Sequence, residues 1–111
     1  PQGQFEKTLD AFLTGKVQAR QKDEIMNAKP WHDVDEGKVY FRSEDLFIYL
    51  EARRFRYPSQ HQVWSWLRNL GGDRKTFRIK SKPVKVWSVP APEYYSEEDE
   101  LNIPTTVTEE F

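Results

Sequence analysis

Apolar side chains recur at helical spacing near the start of the chain. Four of them follow an i, i+4, i+7, i+8 spacing, which predicts an amphipathic helix over residues 5–14. The residues on its apolar face are Phe5, Leu9, Phe12 and Leu13. A second helical stretch is predicted over residues 17–26, either separate from the first or continuous with it. Lys29 stops the helix, because the residue before a proline avoids helical backbone angles.

A strand and a helix are predicted in the middle of the chain. Residues 39–42 combine β-branched and aromatic side chains, which favours a short strand. Ser43 has the side chain of a helix N-cap, and Glu44 and Asp45 lie where they meet the positive end of the helix dipole. We therefore predict a helix that runs to about Arg54. The inward side chains of this helix are expected to be Leu46, Phe47 and Leu50.

The third helical pattern is the most regular in the sequence. Ser59 and Gln62 have the spacing of a capping box, which predicts the start of a helix. Gly71 and Gly72 predict its end. The apolar stripe between these signals follows an i, i+3, i+4, i+7 spacing and consists of Val63, Trp66, Leu67 and Leu70.

The segment after these glycines alternates in the manner of a β-hairpin. Apolar and polar residues alternate over residues 75–80, which predicts a half-buried strand. A turn is predicted at residues 81–83, and a returning strand at residues 84–89. Residues 30–37, which precede the first predicted strand, are expected to form a loop.

The charges divide the chain into three zones, although the net charge of the 111 residues is only −1. Residues 1–37 are slightly acidic, with five basic and seven acidic side chains. Residues 38–90 contain twelve basic and four acidic side chains, whereas residues 91–111 contain seven acidic side chains and no basic one. Lys and Arg at this density favour a phosphate backbone or an acidic protein surface. The alternative is a solvated surface without a specific partner.

Residues 91–111 have the composition of a disordered tail, since they combine prolines, an acidic run and a Thr-rich end. Such a tail improves solubility or binds a protein partner. A further hypothesis is that it folds back on the basic zone and competes with nucleic acid, because the two charges are opposite.

The predicted order is helix, short strand, helix, helix and β-hairpin. This order resembles the winged-helix variant of the helix-turn-helix family, an α+β fold. The resemblance covers residues 38–90. Residues 1–37 are then an N-terminal helical segment and loop, in which residues 5–26 are either helix one or an added extension. In this family the first strand lies between helices one and two and pairs with the hairpin. Residues 91–111 remain the acidic tail that their composition predicts to be disordered. The resemblance also implies that the third helix is the recognition helix and that the hairpin is the wing.

Three segments also resemble the C-terminal winged-helix domain of replication primase–helicase proteins of phages and mobile elements. These segments are residues 39–46, residues 66–71 and the basic hairpin that ends in Trp87. In those proteins the domain contacts DNA or partners, and catalysis lies elsewhere. The resemblance implies an intracellular DNA-binding part of a replication or DNA-processing protein, in the cytoplasm of a prokaryotic host.

The candidate contacts to nucleic acid lie on the third helix, on the wing and just before the third helix. Gln, Asn and Arg pair with base edges in a major groove, and Lys and Arg bind phosphates. Lys82, at the predicted wing tip, is placed to reach a minor groove. The predicted nucleic-acid-binding residues are Arg53, Arg54, Arg56, Gln60, His61, Trp64, Ser65, Arg68, Asn69, Arg78, Lys80, Lys82 and Lys85.

Each of these features also has an explanation without function. An amphipathic helix has a polar face in any case, and lysines on edge strands prevent sheets from aggregating. Trp64 is unusual, because an indole on the polar side of a helix needs a partner to cover it. We expect it to pack on the first helix or the N-terminal segment, or else to meet a ligand. Trp66 and Trp87 are assigned to the core.

Catalytic and metal chemistry find little support in the sequence. The chain has no cysteine, which excludes a thiol nucleophile and a Cys-ligated metal and suits a reducing compartment. His32 lies beside Asp33 and Asp35, but Asp-rich loops are usually only solvated. We expect no catalytic residue, no metal and no cofactor. The longest apolar run, residues 46–50, is far shorter than the ~20 residues of a membrane span, so no membrane is expected.

The sequence therefore predicts a non-catalytic domain that binds double-stranded DNA through its third helix and its basic wing. The alternative is a winged-helix interaction module that docks an acidic protein partner. A third hypothesis is single-stranded DNA or RNA binding through exposed aromatic side chains.

Overall fold

The computed structural model describes residues 2–15 and 18–92 of the chain. Within these residues it has three α-helices, one 3₁₀ helix and four β-strands, which confirms the predicted α+β class. In chain order they are α1 (Gln2–Leu13), the 3₁₀ helix (Lys22–Asn27), β1 (Trp31–Asp33), β2 (Lys38–Phe41), α2 (Ser43–Ala52), α3 (Gln60–Asn69), β3 (Asp73–Ile79) and β4 (Lys82–Pro90). The predicted tail lies outside the described residues from residue 93 onward.

The two helices with the most regular apolar spacing form as predicted. α1 buries all four residues of its predicted stripe, and α3 buries Val63, Trp66 and Leu67. Ser59 is the N-cap of α3, where its hydroxyl oxygen accepts a hydrogen bond from the backbone N–H of Gln62 at 3.3 Å. This bond satisfies one of the N–H groups that have no partner within the first turn of a helix.

α2 differs from the prediction at both ends. Arg42, not Ser43, is its N-cap residue. The Arg42 side chain reaches over the first turn, with Nε 2.8 Å from Oδ2 of Asp45 and Nη2 3.1 Å from Oδ1. These hydrogen bonds raise the pKa of the Arg42 guanidinium and compensate the buried carboxylate. The helix ends at Ala52, and Arg54 leaves it with a left-handed φ of 55°.

The predicted second helical stretch over residues 17–26 forms only in part: residues 18–21 are not helical, whereas residues 22–26 belong to the 3₁₀ helix. The backbone N–H of Ala19 donates to the carbonyl of Pro30 at 2.8 Å, and Ala19 forms a β-bridge with Trp31. Only after this bridge does the chain form the 3₁₀ helix, which ends at Ala28 with a left-handed φ of 64°. The bridge joins segments that are distant in sequence, and such tertiary contacts outweigh a weak local preference for helix.

β1 lies inside the stretch that was expected to be a loop, so that expectation is wrong for these three residues. Trp31 lies opposite Tyr40 and Asp33 lies opposite Lys38, in antiparallel register with β2. The rings of Trp31 and Tyr40 stack with 5.6 Å between their centroids. A three-residue strand is too short to show the alternation that identifies strands in a sequence.

The four strands form one antiparallel sheet in the order β1-β2-β4-β3. β2 lies between α1 and α2 in the chain and pairs with β4, and all seven residues of β3 pair with β4. Lys80 and Ser81 form the hairpin turn, with left-handed φ values of 52° and 67°. The predicted turn at residues 81–83 is therefore misplaced, because Lys82 already belongs to β4 and lies opposite Ile79.

Different elements cover the two faces of the sheet. The three α-helices pack on one face, which we call the helical face, and the 3₁₀ helix packs on the other through Ile25. The sheet residues on the helical face are Val39, Phe41, Trp87 and Val89. Those around Ile25 are Tyr40, Phe77, Ile79, Val84 and Val86. None of the helices in the described part of the chain is long and apolar enough to cross a lipid bilayer.

Candidate nucleic-acid interface

Two stacked tryptophans join α3 to the hairpin. The rings of Trp64 and Trp87 are 5.4 Å apart between centroids and nearly parallel, with 6° between their planes. Trp64 also meets the edge of Phe47 at 5.2 Å. The expectation that Trp64 packs on the first helix or the N-terminal segment is therefore wrong. That role belongs to Trp66, which contacts Phe5 of α1 at 5.1 Å between ring centroids.

Two arginines lie over this tryptophan pair. The guanidinium carbon of Arg74 is 5.4 Å from the ring centroid of Trp64 and 5.2 Å from that of Trp87. The guanidinium carbon of Arg68 is 5.8 Å from the Trp87 centroid. The two carbons can therefore be at most about 11 Å apart, the sum of their distances to the same ring. α3 and β3 each place one cation at the same pair of rings.

A groove of about 620 Å³ opens beside the tryptophan pair. It connects the first residue of α2 with α3 and with the middle of the hairpin. Thr76 and Lys85 lie opposite each other in the β3–β4 register, on the same face as Trp87. The residues that line the groove are Ser43, Trp64, Arg74, Lys75, Thr76, Lys85, Val86 and Trp87.

The cations of this groove have no carboxylate partner among the residues that the structure describes. Over residues 2–15 and 18–92, Arg42 is the only lysine or arginine in an ion pair. Arg74, Lys75 and Lys85, which line the groove, are exposed at the surface, as is Arg68 beside it. Like charges at this distance repel each other unless an anion lies between them, so the groove is suited to an anionic ligand.

The polar face of α3 adjoins the groove. Successive helical residues are rotated by about 100°, so His61, Ser65 and Arg68 lie opposite the buried stripe. All three are exposed, as is Gln60 in the first turn. Asn69 lies on the side toward α1, where its amide nitrogen donates to Oε1 of Gln2 at 3.1 Å. The face that can meet base edges therefore excludes Asn69, whose amide already has a partner.

The four predicted wing cations do not share one surface. Arg78 and Lys85 lie on the helical face with Trp87, because residues opposite each other in an antiparallel pair point the same way. Lys80 and Lys82 instead line a separate cavity of about 350 Å³ together with residues of the 3₁₀ helix, among them Asp23 and Glu24. The two-residue turn places these lysines on the other face of the sheet, because it puts Lys82 opposite Ile79, which packs around Ile25.

The predicted contacts just before α3 are Arg53, Arg54 and Arg56, and none of them lines the groove. Arg53 stacks on Tyr49 with its guanidinium carbon 4.8 Å from the ring centroid, and it lines a cavity of about 290 Å³ with residues of α1. This cavity shares no lining residue with the groove. Arg54 and Arg56 are exposed. The structure thus brings Trp64, Arg68 and Lys85 together and leaves Arg53 elsewhere.

Only Trp64 and Lys85 of the eight residues that line the groove are among the predicted contacts. The six that the sequence prediction missed are Ser43, Arg74, Lys75, Thr76, Val86 and Trp87. Arg74 was counted only as part of the basic zone, because it lies in the predicted link between α3 and the hairpin. The register of the hairpin is what places it opposite Trp87. A correct position for the turn would have identified Arg74 from the sequence.

Comparisons with protein-family models, with curated protein sequences and with solved structures find no match to this chain. In the described ranges, no three His, Asp or Glu side chains lie close enough together to hold a metal ion. The functional interpretation therefore depends on the geometry and the charges of the groove.

Proposed function

We propose that this domain binds double-stranded DNA through α3 and the β3–β4 hairpin. One observation carries the proposal: cations from both elements converge on the Trp64–Trp87 pair, and no described carboxylate neutralises them. DNA presents one negative charge per phosphate along a surface that a helix and an adjacent hairpin can contact together.

The connectivity supports a winged-helix fold for this binding domain. The order α1, β2, α2, α3, β3, β4, with β2 beside β4, is the order that the family resemblance implies. β1 is then an additional edge strand, and the 3₁₀ helix covers the far face of the sheet. In this proposal α3 is the recognition helix and the hairpin is the wing. Membership of a replication or DNA-processing protein is supported only by the sequence resemblance.

We divide the contacts by chemistry. His61, Ser65 and Arg68 point away from the core and are assigned to base edges in the major groove. Arg74 and Lys85 line the groove and are assigned to the phosphate backbone, together with Arg78 farther along β3. Lys82 has no assigned contact in this proposal, because it lies on the other face of the sheet.

Single substitutions test this division. Arg68→Ala is expected to cost on the order of 1–3 kcal/mol of binding free energy on the preferred sequence and to relax the preference at one base pair. Lys85→Ala is expected to weaken all duplexes about equally, because phosphate contacts carry no base information. The measurement is the affinity for a set of duplexes that differ at single positions. Lys22→Ala is the matched control, since Lys22 contacts Phe77 on the opposite face of the sheet.

All three variants should keep the wild-type melting temperature, because these side chains are exposed. An Arg68→Ala variant that binds every duplex like the wild type contradicts the role of α3. If the same variant loses an acidic protein partner instead, the interaction module is the correct function. An Arg68→Ala variant that unfolds contradicts the assignment of the faces of α3.

A further inference from the structure

We propose that Arg74 is a pre-ordered phosphate clamp and that Trp64 is the positioning residue that holds it. The ligand is a phosphodiester group of the nucleic-acid backbone, so the inference deepens the proposed function and rests on it. The guanidinium of Arg74 would bind one phosphate at the groove between α3 and β3, with Trp64 and Trp87 as its support.

The distances place Arg74 at the seam between the two indoles. Its guanidinium carbon is 5.4 Å and 5.2 Å from two ring centroids that are themselves 5.4 Å apart. The three points form an almost equilateral triangle, so the guanidinium contacts both rings and not only one. Both distances are within the roughly 6 Å over which an aromatic ring attracts a cation. Two such contacts restrict a side chain that would otherwise sample many rotamers.

A guanidinium held by aromatic rings keeps its donors available. Its N–H groups form no ion pair with a described carboxylate, so they can form two parallel hydrogen bonds with an oxyanion. A clamp whose rotamer is already fixed loses less entropy when the ligand arrives. A lysine at this position would carry the same charge without the planar fork.

The surroundings of Arg74 suit a phosphate more than an isolated carboxylate. Arg68 approaches the same Trp87 ring from α3, and Lys85 and Thr76 form the next cross-strand pair on the same face of the hairpin. Ser43 adds a hydroxyl from the first turn of α2. A phosphate has three or more oxygen directions to satisfy, and the groove offers donors on several sides.

Other stacked cations in the described residues lack this arrangement. Lys22 lies over Phe77 on the opposite face of the sheet, 4.1 Å from the ring centroid. Lys75 lies over Tyr40 and its ammonium is 3.3 Å from the Tyr40 hydroxyl. Each of these ammonium groups contacts one ring only and has no planar fork. Arg74 is therefore the cation in the groove whose geometry fits a clamp.

The first test compares four full-length variants in duplex DNA binding. Arg74→Lys keeps the charge and is expected to weaken binding about tenfold, because it removes one charge-assisted hydrogen bond and the planar fork. Trp64→Leu removes one support of the guanidinium and is expected to weaken binding by a similar factor. The double variant should be no weaker than either single variant, since both act through the same fork. Arg20→Lys, which lies outside the groove, should bind like the wild type.

A second readout does not require DNA. Trp64 and Trp87 lie in the groove, so their fluorescence should change when inorganic pyrophosphate binds, and Arg74→Lys should weaken that titration. Trp64→Phe keeps an aromatic ring and should restore most of the affinity that Trp64→Leu loses. If Trp64 had a purely structural role, the loss of binding in Trp64→Leu would add to that in Arg74→Lys.

The outcomes separate the clamp from the proposed function. Wild-type affinity in Arg74→Lys, or additive losses in the double variant, overturns the clamp while duplex binding stands. A wild-type chain that ignores DNA but gives an Arg74-dependent pyrophosphate titration overturns DNA binding and keeps the phosphate clamp. A chain that responds to neither ligand overturns both.

Discussion

The affinity of the chain for duplex DNA is expected to fall about 150-fold when the salt concentration rises from 50 mM to 200 mM. Each phosphate contact releases condensed counterions, and the logarithm of the affinity falls with the logarithm of the salt concentration by about 0.9 per contact. Four cations on the helical side of the molecule are assigned to the interface, namely Arg68, Arg74, Arg78 and Lys85. A slope near −3.6 corresponds to about four such contacts.

Titrations of a labelled duplex at several salt concentrations measure this slope. Arg74→Ala should make it shallower by about one, whereas Arg20→Ala should leave it unchanged, because Arg20 lies outside the groove. Binding that does not depend on salt, or no binding at low salt, would show that phosphates are not the ligand. Equal slopes in the two variants would show that the contacts lie elsewhere on the basic surface.

The second large effect concerns stability. Phe41→Ala is expected to lower the free energy of unfolding by about 3–5 kcal/mol, because it opens a cavity where the surroundings collapse only partly. Phe41 is 1% exposed, lies opposite Trp87 in the sheet and meets the edge of Phe12 at 5.6 Å. For a domain of this size the melting temperature should fall by roughly 15–30 °C. Urea unfolding followed by circular dichroism measures the loss.

Ile48→Ala is the matched control for this prediction. Ile48 is also a large apolar residue, but it is 66% exposed on α2, so its removal should change stability by less than about 0.5 kcal/mol. Similar losses in the two variants would contradict the arrangement of the core. Loss of DNA binding in Phe41→Ala at a temperature where it stays folded would show that Phe41 also orders the groove through Trp87.

The sequence was sufficient to predict the elements whose deciding contacts lie between residues close together in the chain. The stripes of α1 and α3 and the Ser59 cap depend on spacings within a few residues. The α1 stripe and the cap form as predicted, and so does the α3 stripe except at Leu70, which follows the helix and is only half-buried. β1 could not be predicted in this way, because its three residues depend on β2 and on the bridge between Ala19 and Trp31. Residues 18–21 are held by the same bridge and do not form the helix that their sequence favours.

The candidate site was predicted only in part, because some of its contacts are local and others join distant parts of the chain. The outward position of Arg68 follows from the α3 stripe alone, whereas the neighbours of Trp64 follow from a contact across the fold. The faces of the hairpin cations were not predicted correctly, because the position of the turn was missed. The turn has left-handed φ values at Lys80 and Ser81, where glycine or asparagine is the usual signal. A register shift of this kind changes which face each side chain occupies.

β3 is the edge strand of the sheet on the side of the groove. An exposed edge presents unpaired N–H and C=O groups and invites aggregation by strand addition. Four of its seven residues are charged: Asp73, Arg74, Lys75 and Arg78. Charged side chains are one of the ways in which proteins protect such edges. In the proposed function Arg74 and Arg78 therefore meet two requirements, since the charge that would bind a phosphate backbone is also of the kind that discourages strand addition between copies of the protein.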